Sequence, residues 1–214
     1  MDEDIAIINT KTRNEKIKSF FIEYKKFIII SLISLIFIIL GIYSFNIYKE
    51  DQRKKISIKY NDAIIEYKKE NKVESISLLK EIISKKDGTY APLALYFLID
   101  NNLLENKDEV NELFDVLLNK TPLEYEIENL IIFKKALYNA DSIEEAKLLE
   151  ILNPLINSKS VWKSHALYLV AEYFYSKNEK EKAKEFFTEI INLEDSSNDI
   201  KLQAQKRLNR DLSD

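Results

Sequence analysis

The chain has 214 residues, 46% of them apolar, and a formal net charge of −4 at pH 7. It contains no cysteine, which excludes disulfides, thiolate metal sites and a cysteine nucleophile. With only two glycines and three prolines, the composition disfavours β-hairpins and favours an all-α fold, and the acidic balance argues against nucleic acid as a partner.

The first two predicted elements are a charged segment, 1–26, and an uncharged run, 27–48. As a helix the 22-residue run would span about 33 Å, close to the hydrocarbon thickness of a bilayer. Its Phe, Ile and Leu side chains point in every direction, so we predict a transmembrane helix rather than a buried core helix. A cleaved signal peptide is the weaker interpretation, because the run is long and no small-x-small cleavage motif follows it.

Basic residues are almost equally numerous on the two sides of this run, so the positive-inside rule barely decides its orientation. Six lie before it and five follow it closely, at positions 49, 53, 54, 55 and 59. The remainder of the chain is acidic. We expect a cytoplasmic N-terminus and an acidic domain on the outer side.

Residues 49–214 are predicted to form a helical domain, because apolar residues recur there at helical spacing and no run alternates with period two. A break is expected at 68–72, a glycine C-cap at Gly88 followed by an N-cap at Thr89, and a helix end at Thr121-Pro122. The later helices are predicted at 92–102, 107–118, 124–138, 142–152, 161–176, 179–192 and 197–212.

An internal repeat is clearest over residues 164–196, which resemble the tetratricopeptide repeat. Ala171 and Ala183 occupy the small positions where the two helices would cross closely, and Phe174 and Phe187 would fill the wedge beside that crossing. Fainter units are 91–124, 56–89 and 125–163. The domain is thus predicted to be a solenoid of α-hairpins like those of tetratricopeptide repeats, with 197–212 as the C-terminal capping helix.

Catalytic motifs are not found in the sequence. His165 is the single histidine, two glycines cannot form a phosphate-binding loop, and no HExxH motif occurs. We therefore predict no enzyme activity, no cofactor, no metal and no small-molecule substrate.

A binding function is the better prediction, because the first helix of each tetratricopeptide repeat lines a concave groove. By that geometry, the residues predicted to face a partner are Tyr60, Ile64, Tyr67, Leu95, Ile99, Asn102, His165, Tyr168, Glu172 and Tyr175. Tyrosine suits such a role because it offers a large contact area at a low entropic cost. The alternative is that these tyrosines pack within the stack.

The whole layout resembles the ancillary SecYEG translocon subunit family, the YfgM-like proteins. The likeness is carried by KSFFIEYKKFIIISLISLIFIILGIY, by ISIKYNDAI after it, and by KKDGTYAPLALYFLI, whose Tyr-x-x-Leu-Ala stretch opens a repeat. The resemblance implies a single-pass protein of the inner membrane with its repeats in the periplasm. It also implies contact with Sec translocon subunits and with a periplasmic chaperone or isomerase, and it transfers no catalytic residue.

The sequence therefore predicts a membrane-anchored adaptor that assists protein export or folding. The alternative is a structural scaffold of another cell-envelope assembly or division complex. A third possibility places the repeats in the cytoplasm.

Overall fold

The computed structural model describes residues 18–212, and every regular element within that range is an α-helix. The predicted all-α class is therefore confirmed. Residues 1–17 of the predicted charged segment lie outside the described residues. The helices are α1 (18–23), α2 (Lys25–Lys68), α3 (Lys72–Ser84), α4 (Tyr90–Asp100), α5 (Lys107–Lys120), α6 (Tyr125–Asn139), α7 (Glu145–Ile156), α8 (Lys163–Ser176), α9 (Lys180–Asn192) and α10 (Asn198–Asp211).

The chain divides into two compact units, the first ending at Lys55 and the second beginning at Ile56. The first unit contains the apolar part of α2. Between Phe27 and Tyr48 every side chain is exposed except that of Ile28, which is partly buried. Among the described residues, α2 is the one helix long and apolar enough to cross a membrane. A helix that packs on a protein core through one face would leave its other apolar faces in water. A helix that is apolar on all sides therefore suits the hydrocarbon region of a bilayer.

The second unit is a solenoid. Its main helix contacts join neighbours in the chain, such as α3 with α4 and α8 with α9, or helices two apart, such as α6 with α8. Contacts that stay this close in sequence are the mark of stacked repeats. The last helix, α10, packs on α8 and α9 and so closes the stack, as the capping-helix prediction required.

Two hydrophobic clusters form the core of this unit, and they meet on α6. Ile131 of α6 belongs to the first cluster, while Ala136, about one turn later, belongs to the second. The first cluster is built from Ala63, Leu79, Ile82, Ile83, Ala91, Ala94, Leu95, Leu98, Val110, Phe114, Leu117 and Ile131. Most of the second cluster comes from α7 to α10.

The small and aromatic residues of the last hairpin are buried where the repeat pattern placed them. Ala171 of α8 and Ala183 of α9 are fully buried, Phe187 is fully buried, and Phe174 is 2% exposed. Small side chains let the two helices approach closely, and the phenylalanines fill the space beside them. This hairpin is therefore well specified by its sequence.

In the part of the chain that the structure describes, four helix ends are followed by left-handed residues that are not glycine: Glu70, Lys86, Asn102 and Asn178, with φ between 50° and 65°. Such a conformation costs a residue with a Cβ roughly 1–2 kcal/mol, and less for asparagine. A chain with two glycines accepts this cost because each left-handed residue ends one helix and turns the chain toward the next.

The predicted C-cap at Gly88 was wrong, whereas Thr89 does lie at the predicted N-cap position of α4. Gly88 has no positive φ, and the Thr89 side chain makes no capping hydrogen bond. Instead, Oδ1 of Asp87 accepts hydrogen bonds from the amides of Thr89 (2.9 Å) and Tyr90 (2.8 Å). Gly88 is needed for space: a Cβ built on it would lie 2.6 Å from the carbonyl oxygen of Pro122.

A partly buried amide pair links the second and third hairpins. Asn111 of α5 and Asn139 of α6 exchange two side-chain hydrogen bonds, with N···O distances of 3.0 and 2.8 Å. Asn139 is 4% exposed and also donates to the carbonyl of Lys135 (2.8 Å). Because both amides are satisfied, this polar contact can lie beside the core.

The start of α7 is later than predicted. The pattern suggested Ser142, whereas the helix begins at Glu145. Both the amide nitrogen and the hydroxyl of Ser142 donate to the carbonyl of Asn139, at 2.8 and 3.1 Å. Serine side chains compete with helical hydrogen bonding in this way, so the chain makes a turn before α7 starts.

Candidate functional site

The first helices of successive hairpins contact each other in order along the solenoid. These are α2 from Ile56 onward, α4, α6 and α8, and we call them the first-helix row. The first junction, between α2 and α4, is aromatic. The rings of Tyr60 and Tyr90 lie 5.9 Å apart, and those of Tyr67 and Phe97 meet edge to face at 5.1 Å. Burial raises the pKa of Tyr60.

The second junction, between α4 and α6, joins a tyrosine to a lysine. The ammonium of Lys134 lies 4.6 Å from the ring centroid of Tyr96, within the range of a cation–π interaction. The Tyr96 hydroxyl is buried without a hydrogen-bond partner. That burial, with a smaller effect of the Asp100 carboxylate, raises the pKa of Tyr96 far above its ordinary value.

The third junction, between α6 and α8, is an aromatic cluster. Phe133 stacks on Trp162 with centroids 6.0 Å apart, and His165 lies 5.9 Å from Phe133 and 5.1 Å from Trp162. Burial lowers the pKa of His165, since the cluster offers little solvation to an imidazolium. The predicted site histidine is therefore partly buried against the aromatic cluster, which disfavours its protonated form.

At the last junction, α10 packs against α8 through charged groups. Nε of Arg207 donates to Oε1 of Glu172 at 2.6 Å, and Nη2 donates to the other carboxylate oxygen. Nη1 donates to Asp211 at 2.7 Å, and the guanidinium lies 4.7 Å from the centroid of the Tyr175 ring. The hydrogen bonds to Glu172 raise the pKa of Arg207, and those from Arg210 and Arg207 lower the pKa of Asp211.

The tyrosines predicted to face a partner all make contacts within the stack. Tyr60 and Tyr67 meet rings of α4, Tyr175 meets Arg207, and the Tyr168 ring lies 5.4 Å from Phe187 at an angle of 67°. Each remains partly exposed, so each has one side against the stack and another open to solvent. Glu172 is likewise partly buried and paired.

The other predicted residues fall in three environments. Ile64 and Ile99 are partly buried. Leu95 is fully buried in the first core cluster, so its side chain has no surface to offer a partner. Asn102 is exposed, and it follows α4 as the left-handed residue that ends the helix.

The position of Leu95 shows that α4 is shifted by one residue from the predicted register. Buried Leu95 and Leu98 match buried Leu167 and Val170 at a spacing of 72 residues, whereas the second helices match at 73, as in Phe114 and Phe187. The last hairpin therefore has one residue more than the second hairpin between these matched positions of its two helices.

The corrected spacing pairs Tyr96 with Tyr168 and Asp100 with Glu172. Helices α4 and α8 thus both carry a tyrosine followed four residues later by a carboxylate. A basic residue from a later helix contacts each tyrosine–carboxylate pair. The ammonium of Lys134 lies over the Tyr96 ring, and Arg207 forms an ion pair with Glu172. The Tyr-x-x-x-Asp/Glu spacing is the sequence signal that could have found Tyr96, while Phe133, Lys134 and Arg207 carry no local signal.

A cavity of about 600 Å³ lies at the C-terminal end of α8. Lys182 forms ion pairs with Glu145 (3.2 Å) and Glu179 (2.7 Å) beside it, and the Tyr173 hydroxyl donates to the carbonyl of Ile143 at 3.1 Å. Within residues 18–212 no group of three His, Asp or Glu side chains is placed to hold a metal. The cavity is lined by Asp141, Ser142, Ile143, Glu144, Glu145, Tyr173, Lys177 and Glu179.

Comparison with known proteins places a tetratricopeptide repeat-like domain in this chain. The family model for that domain matches residues 18–111, which include the apolar helix, the first hairpin and the start of the second. No curated protein and no solved structure matches the chain. The chain therefore carries a tetratricopeptide repeat-like domain, a class of fold that binds other proteins.

Proposed function

We propose that this protein is a membrane-anchored adaptor whose helical repeats bind protein partners at the membrane surface. The partners we propose are Sec translocon subunits and a periplasmic chaperone or isomerase, as in the ancillary SecYEG translocon subunit family. The protein would lie in the inner membrane with a cytoplasmic N-terminus and periplasmic repeats. Its role would be to assist the export or folding of other proteins without catalysis of its own.

One observation supports this proposal above the others. A helix with 22 consecutive uncharged residues, none of them buried, is followed in the same chain by a repeat domain of the tetratricopeptide type. The first element suits lipid and the second suits protein partners. A chain that joins the two has the parts that a tether requires.

Tethering is the proposed mechanism. A span that confines the repeats to the membrane turns a bimolecular encounter into an almost intramolecular one, which raises the effective concentration of each partner. No groove residue then needs a high affinity by itself. The partly exposed tyrosines of the first-helix row would supply contact area for a partner, and their contacts within the stack would fix their orientation.

Site-specific photo-crosslinking in cells tests which helices meet a partner. A photoreactive residue would replace Leu93 of α4 or Tyr125 of α6, which are 40% and 56% exposed on the first-helix row. The matched control is Val73 of α3, a second helix, which is 82% exposed. We expect adducts with translocon or chaperone subunits from the first two positions and fewer from Val73. Equal labelling from all three positions, or adducts with neither class of protein, would refute the adaptor.

Topology is tested by protease protection on spheroplasts. External protease should digest the repeats while the N-terminal segment stays protected, because the proposal puts the two on opposite sides of the membrane. Full protection of the repeats in intact spheroplasts, with digestion after lysis, would place them in the cytoplasm and contradict the proposal.

A structural scaffold of another envelope complex is the second candidate. It is favoured by the tyrosines of the first-helix row, which contact Tyr90, Phe97, Phe187 and Arg207 rather than standing free. A scaffold would bind fixed subunits and would not capture newly exported chains. Crosslinking during a pulse of export separates the two, since only the adaptor should trap radiolabelled client chains.

A further inference from the structure

An exposed aromatic cluster lies immediately before the apolar run. Phe20 and Phe21 are 54% and 56% exposed, and Tyr24 is 42% exposed. The rings contact each other: the centroids of Phe20 and Tyr24 are 4.8 Å apart, and those of Phe20 and Phe21 are 6.1 Å apart. Three large exposed side chains in contact form an apolar surface patch, and such patches mark sites that bind a protein or a membrane.

The backbone sets this cluster apart from the run that follows. Helix α1 ends at residue 23, the chain bends at Tyr24, and α2 begins at Lys25. The amide of Tyr24 still donates to the carbonyl of Phe20, and the amide of Ile28 donates to the carbonyl of Tyr24, both at 2.9 Å. Because these bonds continue through the bend, the cluster is tied closely to the start of α2.

Lysines flank the aromatic residues in the sequence. Lys18, Lys25 and Lys26 flank them, with Glu23 as the one acidic residue from 18 to 26. From Lys26 to Lys49 the rise along a helix is about 35 Å, slightly more than the hydrocarbon thickness of a bilayer. If α2 spans the membrane, Lys25 and Lys26 therefore lie at the level of the phospholipid headgroups.

We propose that residues 18–26, which we call the aromatic–lysine segment, bind the anionic phospholipid headgroups of the bilayer that α2 spans. This inference rests on the membrane span of the proposed function. Aromatic side chains prefer the interface between headgroups and acyl chains, and lysines are attracted to anionic lipid. The segment is at most about 14 Å long as a helix and adjoins the span, so the headgroup layer is the surface that it meets first.

Tryptophan fluorescence of the full-length protein in lipid nanodiscs tests the proposal. A Phe21→Trp substitution provides the probe, and the parent protein supplies the background of Trp162, the chain's single natural tryptophan. Quenching is measured with brominated phosphatidylglycerol or brominated phosphatidylcholine at equal mole fraction. We expect the anionic lipid to quench residue 21 several-fold more effectively, and lipids brominated near the headgroup to quench it more than lipids brominated near the chain end.

The charge dependence supplies the matched comparison. Lys25→Gln with Lys26→Gln should reduce the preference for the anionic lipid, by up to about fivefold for each lysine removed. Lys159→Gln with Lys180→Gln removes the same charge from exposed positions of the repeat domain and should leave the preference unchanged.

Two results would overturn the inference while leaving the span intact. One is equal quenching by both lipids, and the other is quenching of residue 21 by aqueous acrylamide as strong as that of a free peptide. Protection from acrylamide without lipid quenching would assign the segment to a protein contact instead, and would also overturn it. If the full-length protein does not enter nanodiscs at all, the span itself fails, which is a distinct outcome.

Discussion

Arg207 of α10 forms two hydrogen bonds with the two carboxylate oxygens of Glu172 on α8. The two residues are 35 positions apart, and their side chains are 22% and 28% exposed. This pairing fastens the terminal helix to the first-helix row. A carboxylate predicted to face a partner thus serves the stack itself.

Replacement of Arg207 should loosen α10. We expect Arg207→Ala to lower the free energy of unfolding by about 1 kcal/mol, because the pair is bidentate but still reached by solvent. Thermal unfolding in detergent measures the change. Arg210→Ala is the control: Arg210 also pairs with Asp211, but its side chain is 72% exposed and its loss should change nothing measurable. Equal effects of the two substitutions would contradict the role given to Arg207.

Truncation of Phe187 should have the larger effect. Phe187 is fully buried and meets the Tyr168 ring, so Phe187→Ala removes core contacts and leaves a cavity. Such a change typically costs about 3–5 kcal/mol. The neighbouring Phe186 is only partly buried, so Phe186→Ala should cost clearly less. Chemical denaturation of both variants checks the order, and a reversed order would show that α9 packs through its other face.

The two glycines should respond in opposite ways to a methyl group. In Gly88→Ala the new Cβ would lie 2.6 Å from the Pro122 carbonyl oxygen, so the backbone must shift, at a cost of about 1–3 kcal/mol. Gly41→Ala meets nothing within 4 Å and improves helix propensity, so it should be neutral or slightly stabilising. Melting temperatures of the two variants measured in one detergent decide the matter, and a neutral Gly88→Ala would exclude the close approach.

The stability of the repeat domain should fall in mild acid because of His165. Burial places its folded pKa below the ordinary value of 6.5, so between those two pKa values the unfolded chain binds more protons than the folded one. The contribution of neutral His165 to the free energy of unfolding is fully present above about pH 6.5. It decreases as the pH falls toward the pKa that His165 has in the folded state.

His165→Gln should flatten this part of the profile. Unfolding measured from pH 8 to pH 5 should show a weaker pH dependence in the variant than in the parent, which has no other histidine. Parallel profiles for the two proteins would mean that His165 is as well solvated in the fold as in the unfolded chain.

Much of the fold could be predicted because it depends on local pattern. The breaks at 68–72 and after Thr121 follow from turn residues and lost periodicity, and α5 begins at Lys107 as predicted. The α4 register was missed by one residue because a one-residue difference in length between two hairpins leaves no trace in the apolar spacing within each helix. Gly88 was misread because glycine serves two needs, positive φ and close approach, and only the position of Pro122 distinguishes them.

The sequence alone determined that this chain is helical, that residues 27–48 suit a membrane, and that a repeat of hairpins follows, because periodicity and charge are local properties. The tertiary structure alone decided which side chains meet. It buried Leu95, brought Phe133 against Trp162 and His165, and paired Glu172 with Arg207. Those relationships join residues about 30 or more positions apart, and their energies depend on the packing of whole helices, which no short stretch of sequence contains.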